Sequence, residues 1–235
     1  MYKQVVSELK SSSSPKRAQQ AQRFFKTGKG EYGEGDVFIG LTMPEQRKIA
    51  KAYFKQISFV DIEKLLQSKI HEYRMVGLVM LVYKFQKVDE KGQKKIYDFY
   101  IKNIKAANNW DLVDVTVQHV IGAYLQTKKE RKILYKYAKS KNLWKQRVAI
   151  IASGAFIKNN DFKDTLAIST MLLNHEHDLI HKAVGWMLRE IGKQDRRVLE
   201  GFLAQHYKTM PRTMLRYAIE KFPETKRKKY LHGTI

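Results

Sequence analysis

Four short helical stretches share one pattern: a basic residue followed by small or branched apolar residues. They are Arg74-Met75-Val76-Gly77, Arg147-Val148-Ala149-Ile150, Lys182-Ala183-Val184-Gly185 and Arg216-Tyr217-Ala218-Ile219. Their first residues lie 73, 35 and 34 positions apart, and the register missing from the first interval falls near residue 110. A period in the mid-thirties, with two helices per unit, predicts helix pairs stacked as an α-solenoid of the HEAT type. An irregular helical bundle is the plainer alternative. On the solenoid reading the second helix of each pair lines a concave groove, and Arg74, Asp114, Arg147, Lys182 and Arg216 stand on equivalent helices along it.

The rest of the chain agrees with an all-α fold. Apolar residues recur at helical spacing, only four prolines interrupt 235 residues, and no alternating strand with a hairpin turn is present. Helices are expected over 59–67 with Ser58 as N-cap, 70–85, 89–106, 110–125, 129–138, 143–157, 161–173, 178–191, 195–207 and 211–222, with Pro211 at a first helical position. Five of the thirteen glycines fall between Gly28 and Gly40. The expected organisation is a single domain over 1–235: N-terminal helices in 1–26, a glycine-rich loop in 27–42 and helical repeats in 43–229.

Charge narrows the partner. Lys and Arg total 45 against 23 Asp and Glu, a formal net charge of +22, and a basic excess of this size favours a polyanion. Nucleic acid is the expected partner. The hydrophobic fraction of 43% is that of a folded protein. The absence of cysteine removes disulfides, thiolate metal sites and cysteine nucleophiles. The N-terminus has no apolar signal core, and the longest apolar runs reach about ten residues, short of the roughly twenty that span a bilayer. A cytoplasmic monomer without metal, cofactor or membrane contact is expected.

Several motif-like stretches lead nowhere. Gly28-Lys29-Gly30-Glu31-Tyr32-Gly33 has the letters of a dinucleotide fingerprint but follows a helix rather than a strand, and reads as a flexible connector. His175, His177 and His181 crowd a turn without a clear fourth ligand and read as loop histidines. No nucleophile motif supports acyl transfer. The three tryptophans carry more information. Trp110 lies four positions before Asp114, and Trp186 lies four after Lys182 and three before Arg189; such neighbours share a helix face. A carboxylate on a basic groove opposes phosphate binding and needs a reason: neutralisation by Arg147, a capping role that suits Asp111 better, or chemistry. Trp144 reads as packing.

Trp110-Asp111-Leu112-Val113-Asp114 resembles the W-D-x-V-D signature of the AlkD-like DNA glycosylases, the DNA alkylation repair family built from HEAT-like repeats. Leu143 to Ile150 resembles the family's W-x-Q-R-x-A-I stretch, Lys182 to Glu190 its K-A-I-G-W-x-L-R-E helix, and Gly40 to Arg47 its G-x-x-x-P-E-x-R segment. The four stretches occur in family order. The resemblance implies a monofunctional glycosylase that excises cationic N3- or N7-alkylated purines from duplex DNA without a metal. It implies Asp114 as the essential carboxylate, Trp110 and Trp186 as the aromatic pair against the sugar, and Arg147 as a DNA contact. Lys182, Arg189, Arg74 and Arg216 complete the expected DNA-binding set. Phe24 and Thr42 depart from the polar residues of better-known members, and 28–36 looks like an insertion. A non-catalytic binder of bent, branched or damaged DNA on the same scaffold is the alternative; a protein-binding solenoid is disfavoured by the charge.

Overall fold

A computed structural model describes residues 1–235. The chain is all-α; its only strand-like feature is an isolated parallel bridge between Val37 and Ile70. Contacts group it into two compact units, Met1–Thr116 and Val117–Ile235.

The N-terminal unit contains α1 (Tyr2–Ser11), α2 (Pro15–Phe24), α3 (Met43–Tyr53), α4 (Phe59–Leu66), α5 (His71–Phe85), α6 (Glu90–Lys102) and most of α7 (Trp110–Val117). Its starts follow the expected chemistry. Ser14, Ser58 and Asp89 each accept a backbone N–H of the first turn of α2, α4 and α6, and Thr42 with Glu45 forms a capping box on α3. The core is built on α5, which packs against α3, α4 and α6 and is buried on nearly every side. A helix so enclosed has no polar face to keep, so the run from Met75 to Val82 can be apolar throughout.

The glycine-rich loop between α2 and α3 is fastened at several points. Glu31 and Glu34 accept the backbone N–H groups of Gly28 and Gly30. The buried Glu72 carboxylate accepts those of Ile39, Gly40 and Leu41. Gly40 has φ +86°, and a Cβ there would lie 2.2 Å from Ser14 O, so both the backbone angle and the space demand glycine. The flexible connector expected here is thus an ordered loop tied to α5.

The C-terminal unit continues from α7 through a π-helical segment, Gln118–Gly122, into α8 (Ala123–Gln126), then α9 (Lys132–Ala138), α10 (Leu143–Ile157), α11 (Lys163–Met171), α12 (Asp178–Gln194), α13 (Arg196–His206), α14 (Arg212–Ala218) and α15 (Glu224–His232). The order is that of successive helix pairs. α9 packs on α10, α11 on α12, and the second helices form their own row, α10 on α12 and α12 on α14. Arg147, Lys182 and Arg216 stand on α10, α12 and α14, which is the source of their mid-thirties spacing. Several boundaries differ from expectation, two of them in kind. Pro211 precedes the first helical residue of α14 rather than occupying it, and the helix expected over 110–125 is interrupted by the π turn.

Candidate active site

In the N-terminal unit the site is built around the start of α7. Asn109 is fully buried; its Oδ1 accepts the Trp110 N–H at 2.8 Å and its Nδ2 donates to Asp36 Oδ2 at 3.1 Å. Asp111 Oδ1 accepts the Leu112 N–H, which satisfies another donor of the first turn. The remaining Asp111 oxygen meets His71 Nε2 at 2.9 Å, and His71 Nδ1 meets Asp36 Oδ2 at 3.0 Å. Asp36 Oδ1 then accepts from Arg74 Nη2 at 2.5 Å, and Arg74 Nη1 donates to Ser68 O. Two carboxylates, an imidazole and a guanidinium therefore form one interior network.

The network fixes its own protonation. Burial pushes the His71 imidazole down, but the Asp111 charge and hydrogen bond, with those of Asp36, outweigh it and raise the pKa to about 9. For Asp36 burial pushes upward, but the His71 hydrogen bond and the Arg74 charge outweigh it and hold the carboxyl below 3.8. At neutral pH His71 is an imidazolium donating from both nitrogens. Two negative and two positive charges then balance, the condition under which buried ions are tolerable.

With that anchor, α7 places Trp110 and Asp114 one turn apart on one face, both half-buried. The indole sits at the end of an aromatic stack. Phe25 lies 5.2 Å from Trp110 at 21°, and Phe25 also packs on Phe38 and His71 at 4.9 and 5.2 Å. Phe24 meets the Trp110 ring edge-on at 5.9 Å while remaining 65% exposed. One face of the indole is therefore covered by Phe25, and an exposed phenyl ring flanks it.

The other expected site residues divide by burial. In the C-terminal unit Trp186 is half-buried on α12, and its Nε1 donates to Glu190 Oε1 at 3.1 Å. Lys193 holds the same carboxylate at 2.7 Å. Beside the indole lies a cavity of about 220 Å³, lined in part by Gln118, Gly154, Met187 and Glu190. Lys182 pairs with Asp178 at 2.6 Å, and Arg216 is exposed on α14. Three of the five expected phosphate contacts are largely buried and hydrogen-bonded within the chain. Arg74 is 4% exposed and spends two guanidinium nitrogens on Asp36 and Ser68. Arg147 is also 4% exposed, and its Nη1 donates to Leu179 O. Arg189 is paired with Glu220 on a mostly buried side chain. Their cationic heads tie elements together because a desolvated guanidinium must be hydrogen-bonded. His175, His177 and His181 brace the turn before α12 through bonds to Gln146 and to each other's backbone.

Sequence reasoning passed over Asp36, His71, Phe25 and Glu190. Glu190 alone had a local signal, since it lies four residues after Trp186. The network partners of His71 lie 35 and 40 positions away and follow no helical period.

Comparison with known proteins gives two findings. The family model described as DNA alkylation repair enzyme matches residues 5–222. A solved structure described as a predicted DNA alkylation repair enzyme from Enterococcus faecalis superposes with a TM-score of 0.72 over 91% of this chain and 98% of its own, at 18% identity. None of the curated proteins compared matches the chain.

Proposed function

Because the chain belongs to the DNA alkylation repair enzyme family, we propose that it is a DNA glycosylase acting on cationic N3- or N7-alkylated purines in duplex DNA. The observation that carries this reading is a half-buried carboxylate, Asp114, one helical turn from the Trp110 indole in a chain of net charge +22. Such a carboxylate works against phosphate binding, so its value lies where positive charge develops.

Alkylation at N3 or N7 makes the purine cationic. When the C1′–N bond breaks, its electron pair goes to the base, which leaves neutral and needs no general acid. The sugar acquires oxocarbenium character at C1′. Asp114 stabilises that charge and orients the water that adds to C1′, with the water proton passing to the carboxylate or to solvent. The indole of Trp110 contributes cation–π stabilisation. Lys182 and Arg216 hold backbone phosphates and carry no sequence readout. No lysine is needed as a Schiff-base nucleophile, so the enzyme is monofunctional.

The test is Asp114→Asn with methylated duplex DNA as substrate and released 7-methylguanine measured by mass. The variant should lose activity by about 10²- to 10³-fold, the scale of removing one charge-stabilising group, and bind duplex as tightly as the parent. Equal activity in the variant would sink the mechanism. A second reading, a non-catalytic binder of bent, branched or damaged DNA, is favoured by one observation: Phe25 covers a face of the Trp110 indole. Tight binding to such DNA by the parent protein, with no base released, would put that reading first.

A further inference from the structure

The start of α7, which carries Trp110 and leads to Asp114, has two tethers in the interior of the N-terminal unit, and both end on one pair of side chains. Asn109 Nδ2 donates to Asp36 Oδ2 at 3.1 Å, and Asp111 Oδ2 meets His71 Nε2 at 2.9 Å. Asp36 and His71 are themselves joined at 3.0 Å. The two tethers are not equally secure. Asp36 also accepts from Arg74, so it keeps donors when His71 stops donating. Asp111 Oδ1 is committed to the Leu112 N–H within α7, and His71 is its bond to the rest of the unit. The Asp111 side chain is 14% exposed against 4% for Asp36, so water replaces His71 more readily at Asp111.

The His71 ring has a carboxylate at each nitrogen, and only the imidazolium donates to both. A neutral ring keeps one N–H, and its bare nitrogen then faces a carboxylate oxygen at hydrogen-bond distance. Aromatic packing keeps the ring from turning away: Phe38 stacks on it at 4.4 Å and Phe25 packs at 5.2 Å. Of the charged side chains beside it on α5, Arg74 is bound to Asp36, and Glu72 is turned to the backbone N–H groups of Ile39, Gly40 and Leu41. Asp36 from the loop and Asp111 from α7 are the charges that act on the ring. When the proton leaves, Asp111 is the partner that gives way.

We propose that His71 is a positioning residue for the reaction above: its imidazolium fixes Asp111, and Asp111 fixes the angle at which α7 presents Trp110 and Asp114. The inference rests on the glycosylase reading and adds a control to it. With 2% of its side chain exposed, His71 does not reach a substrate and acts through the helix. Trp110 adjoins Asp111 and Asp114 follows it by three residues, so a shift of the first turn carries both with it. A displacement of roughly 1 Å at a reacting group costs about 10²-fold in rate. As pH rises through about 9, where His71 loses its proton, the rate of base release should fall while duplex affinity, set by exposed cations, stays.

The experiment follows 7-methylguanine release from methylated duplex at saturating protein, from about pH 7 to about pH 10, in the parent, Asp111→Ala and Asp111→Asn. Using one duplex throughout cancels any titration of the substrate. Asp111→Ala cuts the tether and should slow release about 10²-fold at neutral pH, with duplex Kd unchanged. In Asp111→Asn the amide oxygen still accepts the Leu112 N–H and the amide nitrogen donates to a neutral His71 Nε2. That variant should recover most of the lost rate and show no fall near pH 9. Backbone amide spectra of the full chain establish that each variant is folded, and the Trp110 indole N–H resonance should move through pH 9 in the parent but not in Asp111→Asn. Base release by the parent with an equal rate in Asp111→Ala, or with the same fall near pH 9 in Asp111→Asn, would overturn the inference and leave the glycosylase reading standing. A parent that releases no base would overturn both.

Discussion

His71 brings a positive charge into the interior of the N-terminal unit, and that charge sets a pH dependence. Its pKa rises from 6.5 in the unfolded chain to about 9 in the fold, with Asp111 and Asp36 overcoming burial. The folded state therefore holds the proton more tightly, and the linked stability is fully present below pH 6.5 and lost as pH rises through 9. The span corresponds to on the order of 3 kcal/mol. Thermal melts should show Tm falling by roughly 5–10 °C over that window. His71→Gln should lower Tm at neutral pH and flatten the slope; a parent Tm constant from pH 6.5 to 9.5 would contradict the network. None of this was legible in the sequence. A histidine at the start of an apolar helix has no local mark of a charged partner, and Asp36 lies in a loop that reads as a connector. By contrast the Trp110–Asp114 pair was legible, because both members lie on one helix and four residues make one turn.

Helices were the most legible level. The expectation of 143–157 coincides with α10, and most others differ by one to three residues at their ends, because the 3.6-residue period survives wherever one face is buried. The π turn at Gln118–Gly122 was invisible, since one extra residue per turn leaves the apolar pattern nearly intact. Nor could propensity show how closely the helices approach. On α12 a Cβ at Gly185 would lie 2.5 Å from both Met214 O and Tyr217 Cβ on α14. Gly185→Ala should therefore cost about 1–3 kcal/mol through overpacking, despite alanine's higher helix propensity. Gly201 on α13 has nothing within 4 Å of its Cβ position, and Gly201→Ala should instead be stabilising by about 0.5–1 kcal/mol. Denaturant melts of the two variants should move in opposite directions. Equal effects would mean that the α12–α14 contact is looser than the structure has it.

At the scale of the whole molecule the dominant quantity is the net charge of +22. If duplex DNA is the partner, affinity should fall steeply with salt. Neutralising about six phosphates predicts a loss of roughly 10³-fold between about 50 and 200 mM salt. A nearly flat dependence in a filter-binding titration would remove the polyanion reading and favour a protein partner. The sequence expectation of one repeat domain meets two compact units, divided between Thr116 and Val117. By itself the sequence determined the helical class, the paired period, the charge and the family motifs. These are properties of composition and short spacing, and neighbours along one helix need no knowledge of the fold. Only the tertiary structure decided which charges are surface and which are interior. Arg74 and Arg147 carry the same side chain as Arg216, and all three were expected to face phosphate; the first two are buried and the third is exposed. That difference arises because desolvation and long-range pairing depend on what the chain brings alongside a residue from dozens of positions away.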